Sequence, residues 1–144
     1  MIKIIAVGKI KEDYLKKAID DYLKRINKYH RVEIIEVLDD NIKTEGDRIL
    51  KVVNKKDYII ALDINGEEIS SLEFSKKLDN LFINNSNITF IIGGSNGISD
   101  DIKKLANYHL SFSKMTFPHQ LFRLILLEQI YRGFKIMHNE TYHK

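Results

Sequence analysis

Apolar and polar positions along the chain switch between two periods, and each switch marks a new element. Ile2–Val7 is a short apolar run rich in β-branched residues and predicts a strand. Leu15, Ala18, Ile19, Tyr22, Leu23 and Ile26 recur at helical spacing within Glu12–Lys28. Val32–Leu38 predicts a second strand with Glu33 and Glu36 exposed. Thr44–Val53 predicts a helix that turns Ile49, Leu50 and Val53 inward, with Thr44 as its cap. Asp57–Ile64 predicts a strand closed by a turn at Asn65-Gly66. Ser70 or Ser71 caps the next helix, which runs to about Phe82. Ile88–Ile92 is apolar throughout with no alternation, the mark of a strand covered on both faces. Ser99 caps a short helix to about Ala106, Tyr108–Phe112 is a last strand, and Pro118–Met137 is the longest helix.

The β-α-β-α order predicts an α/β fold with a mostly parallel sheet and helices on both faces, in one domain over residues 1–144. Spacing alone leaves the strand order open.

Composition narrows the setting. Hydrophobic residues make up 44% and charged residues 30% of the 144, which reads as a soluble globular domain with a real core. No apolar run is long enough to cross a membrane, and the opening strand is too short for a signal peptide. The absence of cysteine excludes disulfides, thiolate catalysis and cysteine-ligated zinc, and fits a reducing cytoplasm. Charge is uneven: residues 1–31 carry nine Lys/Arg against four Asp/Glu, 32–110 nine against fourteen, and 111–144 five against two. If the two basic ends meet, they form a face suited to a polyanion; the plainer reading is a solvated helix face at Lys16, Lys17, Lys24, Arg25 and Lys28.

Four features could carry chemistry. The first is the turn Gly93-Gly94-Ser95-Asn96-Gly97-Ile98-Ser99, which leaves a strand and enters a helix. Its glycines permit close backbone approach to a ligand at the strand ends where open α/β folds bind them, or simply a tight turn. It lacks the lysine and hydroxyl of a phosphate-binding loop, and no dinucleotide fingerprint is present. The second is Ser111–Gln120 around Pro118, the one proline, where Thr116 is placed to cap a helix whose first N–H groups face outward. The third is the helix itself. Leu121, Phe122, Leu124, Ile125, Leu126 and Leu127 cover most of its circumference, which implies a second subunit against one side. His119, Gln120 and Arg123 share a face; Arg123 reads either as an ion-pair partner or as a substrate contact, and His119 as a helix-start residue or a catalytic one. The fourth is the tail, where Tyr142, His143 and Lys144 suit stacking on a base and contact with phosphate, though chain ends often fray.

Phe90–Gly97, Leu110–Gln120, Glu128-Gln129-Ile130-Tyr131-Arg132 and Tyr142-His143-Lys144 closely resemble the ribosomal RNA large subunit methyltransferase H family, a minimal branch of the SPOUT superfamily. Ile4–Lys9 and Tyr22-Leu23-Lys24-Arg25 match as well, so the resemblance spans the chain. The departure is a short segment around Asp39–Glu45, expected to lie away from the ligand motifs. The resemblance implies a parallel α/β sheet with a C-terminal trefoil knot, a homodimer, and S-adenosylmethionine as methyl donor without a metal. By position, the donor contacts fall on Leu62, Gly93, Phe112, Ser113, Lys114, Met115, Thr116 and Phe117. The implied reaction is methylation of N3 of pseudouridine 1915 in 23S rRNA of the assembled ribosome. His119, Arg123, Tyr142 and His143 are the candidates on the acceptor side, with His143 as proton acceptor, and the basic 9–31 segment is the candidate ribosome contact. The other reading is a non-catalytic ribosome-associated RNA-binding factor with a vestigial pocket.

Overall fold

The computed structural model describes residues 1–144. Ten elements follow one another: β1 (Ile2–Val7), α1 (Asp13–Asn27), β2 (Val32–Val37), α2 (Ile42–Val52), β3 (Tyr58–Glu68), α3 (Ser71–Asn84), β4 (Ile88–Ile92), α4 (Asp100–Leu105), β5 (Tyr108–Ser111) and α5 (His119–Met137). The strands form one sheet in the order β2-β1-β4-β3-β5, and every pairing is parallel. The strand order reverses at β1, which places a crevice beyond the C-terminal ends of the strands.

Helices cover both faces, so the central strands need apolar residues at every position. All of β4 is buried. Ile2, Ile4, Ala6, Phe90 and Ile92 face α1, α3 and α5 in the larger core. Ile5, Val7, Ile91 and Ala61 face α2 and α4 in the smaller one. From the β5 edge the chain returns through α5, which packs against both α1 and α3. That recrossing of the sheet fits the threaded C-terminal knot.

Three local expectations change. Asn41, not Thr44, caps α2: its side-chain oxygen accepts from the Thr44 backbone N–H at 2.9 Å. Asn41 has the extended backbone a cap requires, and Thr44 already lies inside the helix. Asn65-Gly66 does not end β3. The strand bulges out after Leu62 and returns, so that Leu62 and Glu67 both pair with Leu110. Gly66 is needed for close approach: a Cβ there would lie 2.7 Å from the His109 carbonyl. Thr116 does not cap α5, which begins at His119 after Pro118 with no side-chain cap. Ser70 caps α3 in a reciprocal capping box with Glu73.

Candidate functional site

The bulge within β3 and the loops after β4 and β5 meet the start of α5 around one cleft of about 1050 Å³. Each wall has a local cause. The β3 bulge contributes Leu62, Asp63, Ile64 and Asn65, and the Asp63 carboxylate accepts from the Asn65 backbone N–H at 3.0 Å. The β4–α4 turn contributes Gly93 through Ser99. Gly97 has φ +86°, and a Cβ on Gly93 would stand 2.4 Å from the Gly97 carbonyl oxygen, so the turn folds on itself only with glycine at both places.

The third wall is Ser111–Pro118, shaped by its own side chains. The Ser111 hydroxyl donates to the Ser113 carbonyl at 3.1 Å, and the Ser113 hydroxyl accepts from Met115 N–H at 3.0 Å. Phe112 and Phe117 both pack on Phe122 of α5, with ring centroids 5.1 and 5.9 Å apart. These aromatic anchors hold the loop against α5.

Of the residues expected at a donor, Leu62, Gly93, Phe112, Ser113, Met115, Thr116 and Phe117 all line this cleft, and Lys114 does not. His119 lines it too, close over Gly8 at the end of β1. Arg123 does not face the cleft. It is 2% exposed, and its guanidinium reaches the Glu36 carboxylate at 2.5 Å and the Gly8 carbonyl at 3.2 Å. A cation buried that deeply needs such partners, and they turn it toward the sheet.

Tyr142 and His143 also lie elsewhere. The tail folds back on α5, where the Tyr142 hydroxyl donates to Glu128 at 2.5 Å and Arg132 holds the same carboxylate through Nε at 3.1 Å. Arg132 approaches His143 Nδ1 at 3.1 Å. A guanidinium only donates, so Nδ1 spends its lone pair there and the proton of the neutral ring sits on Nε2. Arg132 stands roughly 20 Å along α5 from His119 at 1.5 Å per residue, so one chain does not bring its tail to its own cleft. The hydrogen bond to Glu128, then burial, pushes the Tyr142 hydroxyl far above the usual phenol range.

The two basic ends do meet. Glu140 accepts from Tyr29, just after α1, at 2.7 Å and from Lys135 at 2.8 Å. Lys24 is exposed, whereas Arg25 is paired with Asp21 and lies over the Tyr22 and Tyr131 rings.

The segment Asp39–Glu45 proves to be part of the site. Ile42 and Lys43 line the cleft, and the Glu45 carboxylate lies against Gly94. Alternation and capping rules locate α2 but say nothing about which turn its first residues touch, so this wall was not visible in the sequence.

A family model described as "Predicted SPOUT methyltransferase" matches residues 1–143. A curated protein of Clostridium kluyveri, named ribosomal RNA large subunit methyltransferase H, is 56% identical, with 99% of each chain covered. Its namesake in Enterococcus faecalis is 48% identical over the same shares. Among solved structures, a probable methylase family protein from Haemophilus influenzae superposes with a TM-score of 0.59 at 12% identity, covering 99% of this chain and 70% of that one. A tRNA (m1G37) methyltransferase from Aquifex aeolicus gives 0.56 at 12% identity, covering 91% and 69%. These two likenesses concern the fold.

Proposed function

Since the chain belongs to the SPOUT methyltransferase family, we propose that it transfers a methyl group from S-adenosylmethionine to N3 of pseudouridine 1915 in 23S rRNA of the assembled ribosome. The observation that carries this reading is the convergence of Leu62, Gly93, Phe112, Ser113, Met115, Thr116 and Phe117 on one cleft. The curated relatives that are 56% and 48% identical carry the name of a large-subunit rRNA methyltransferase, which supports an rRNA acceptor.

The residues present fit the donor. At Gly93, Gly94 and Gly97 the turn presents bare backbone to the cleft, and the 112–117 loop offers aromatic and backbone surface to an adenosine. When bound, S-adenosylmethionine supplies a methyl already activated on a sulfonium. The protein's work is then to hold the donor, exclude water and align the acceptor nitrogen in line with the methyl. His119 lines the same cleft and is the candidate for contact with the acceptor base.

The working unit in this reading is a homodimer. Leu121 is exposed and Leu124 and Ile125 are half-buried on α5. A second copy packed there covers that apolar stripe and brings a partner's tail toward the cleft. His143 then serves as proton acceptor once Arg132 releases Nδ1, and Tyr142 stacks on the presented base. The test is single-turnover methylation of ribosomes: His143→Ala should slow the chemical step while donor affinity stays unchanged. An unaltered rate removes His143 as the base.

A further inference from the structure

Glu45 is 5% exposed, in the first turn of α2. One carboxylate oxygen accepts from the Asp40 backbone N–H at 2.9 Å. The other, Oε1, has no donor within reach, and no lysine or arginine pairs with the group. The carboxylate lies flat on the cleft turn: a Cβ on Gly94 would stand 2.9 Å from Oε2 and 3.0 Å from Oε1. The next residue makes a second close contact with the same turn, since a Cβ on Gly46 would lie 2.4 Å from the Ser99 hydroxyl. Residues 45 and 46 thus grip both ends of the turn that walls the cleft.

The Asp40 N–H and the first turn of α2 offset only part of the cost of burying this carboxylate, and no cation stands beside it. Its field is screened far less than that of a carboxylate in water, and it acts through one glycine layer into the cleft. Asp63, Asp100 and Asp101 line the same cleft and add to this negative field, while Lys43 and Lys103 oppose it from the rim.

We infer that Glu45 is a charge-selecting residue behind the donor pocket, which makes the cleft prefer a sulfonium ligand over its neutral thioether. This rests on the donor reading above. Loss of the methyl turns the cationic donor into an uncharged thioether, so the field that retains the fresh donor lets the spent one go. Gly94 serves this arrangement, because any side chain there would displace the carboxylate from the wall.

The test is calorimetric titration of the full chain with S-adenosylmethionine and with S-adenosylhomocysteine. Glu45→Gln keeps the shape and removes the charge. It should weaken S-adenosylmethionine roughly tenfold and leave S-adenosylhomocysteine within about twofold. Equal losses for both ligands, or no loss for either, would overturn the inference and make Glu45 a purely structural contact. A second measurement needs no variant. The wild-type preference between the two ligands should hold as salt rises from about 0.05 to about 0.5 M, because the selecting charge is buried. A preference that collapses with salt would instead assign it to the exposed carboxylates. Binding of neither ligand by the wild type would reject the donor reading itself, an outcome separate from the other two.

Discussion

Arg123 of α5 and Glu36 of β2 form an ion pair at 2.5 Å that ties the longest helix to the edge of the sheet. The pair is lopsided: the arginine side chain is 3% exposed and the glutamate side chain 39%. Removing the carboxylate strands a buried cation, whereas removing the guanidinium lets the carboxylate rehydrate. Glu36→Ala should therefore cost about 3 kcal/mol, the low end for a broken buried pair because water already screens the glutamate. Arg123→Met should cost only about 1 kcal/mol. Urea denaturation of the two variants checks this, and equal costs would contradict the asymmetry.

The turn at Gly93 leaves no room for a side chain. Gly93→Ala puts a Cβ 2.4 Å from the Gly97 carbonyl oxygen and 2.7 Å from its carbon, both backbone atoms. The expected result is a loss of about 1–3 kcal/mol in stability together with loss of S-adenosylmethionine binding, read by thermal melting and calorimetry. An unchanged affinity would show that this turn is not a wall of the donor site.

Helix caps separate what is structural from what is not. Asn41→Ala and Ser70→Ala each remove a side-chain acceptor from a first-turn N–H. Each should cost about 1 kcal/mol. Thr116→Ala should leave the melting temperature unchanged, since α5 has no side-chain cap to lose.

Those caps also show how much could be read from residue order. Apolar spacing located every helix and strand, because burial on one stripe or on both faces leaves a direct mark on composition. β4 and α5 were the clearest cases. The misreadings arose where long-range packing overrode a local rule. Asn65-Gly66 has the composition of a turn, but the neighbouring β5 backbone draws β3 onward past it. Thr116 stands where a cap could stand, yet the loop's bonds run from the Ser111 hydroxyl and the Met115 N–H to Ser113. Arg123 shares a helical face with His119, but only the strand order places Glu36 and Gly8 within its reach. The glycine turn and the 112–117 loop were legible as separate motifs; that they face one another across a cleft required the fold.

The tail should stay latched through the neutral range and loosen at both extremes of pH. Hydrogen bonds from Lys135 and then Tyr29 hold the Glu140 carboxyl below its ordinary value of 4.5. A depressed carboxyl contributes fully above that value and loses its contribution as pH falls through the depressed one. Burial, then the bond to Glu140, pushes Tyr29 above its ordinary value of 10.0. That contribution is complete below the ordinary value and is lost as pH rises through the raised one. Carbon-detected NMR shifts of the Glu140 carboxyl and the Tyr29 ring should be constant near neutrality and move toward random-coil values in acid and in strong base respectively. A transition centred near pH 7 would contradict this assignment.

The dimer reading makes its own demand on α5. Replacing Leu121 and Ile125 together by glutamate should convert a dimer to a folded monomer and abolish methyl transfer, because neither residue belongs to the fully buried core. Sedimentation and circular dichroism read the two properties separately. Full activity in a proven monomer would exclude a partner's tail from the site.

The most direct measurement of the central claim is transfer of labelled methyl groups from S-adenosylmethionine to three acceptors: assembled ribosomes, free 23S rRNA, and ribosomes lacking the pseudouridine. Stoichiometric labelling of assembled ribosomes alone, mapped to N3 of pseudouridine 1915, is the predicted result. Tight ribosome binding with no label on any acceptor would contradict the account and leave a non-catalytic RNA-binding factor in its place.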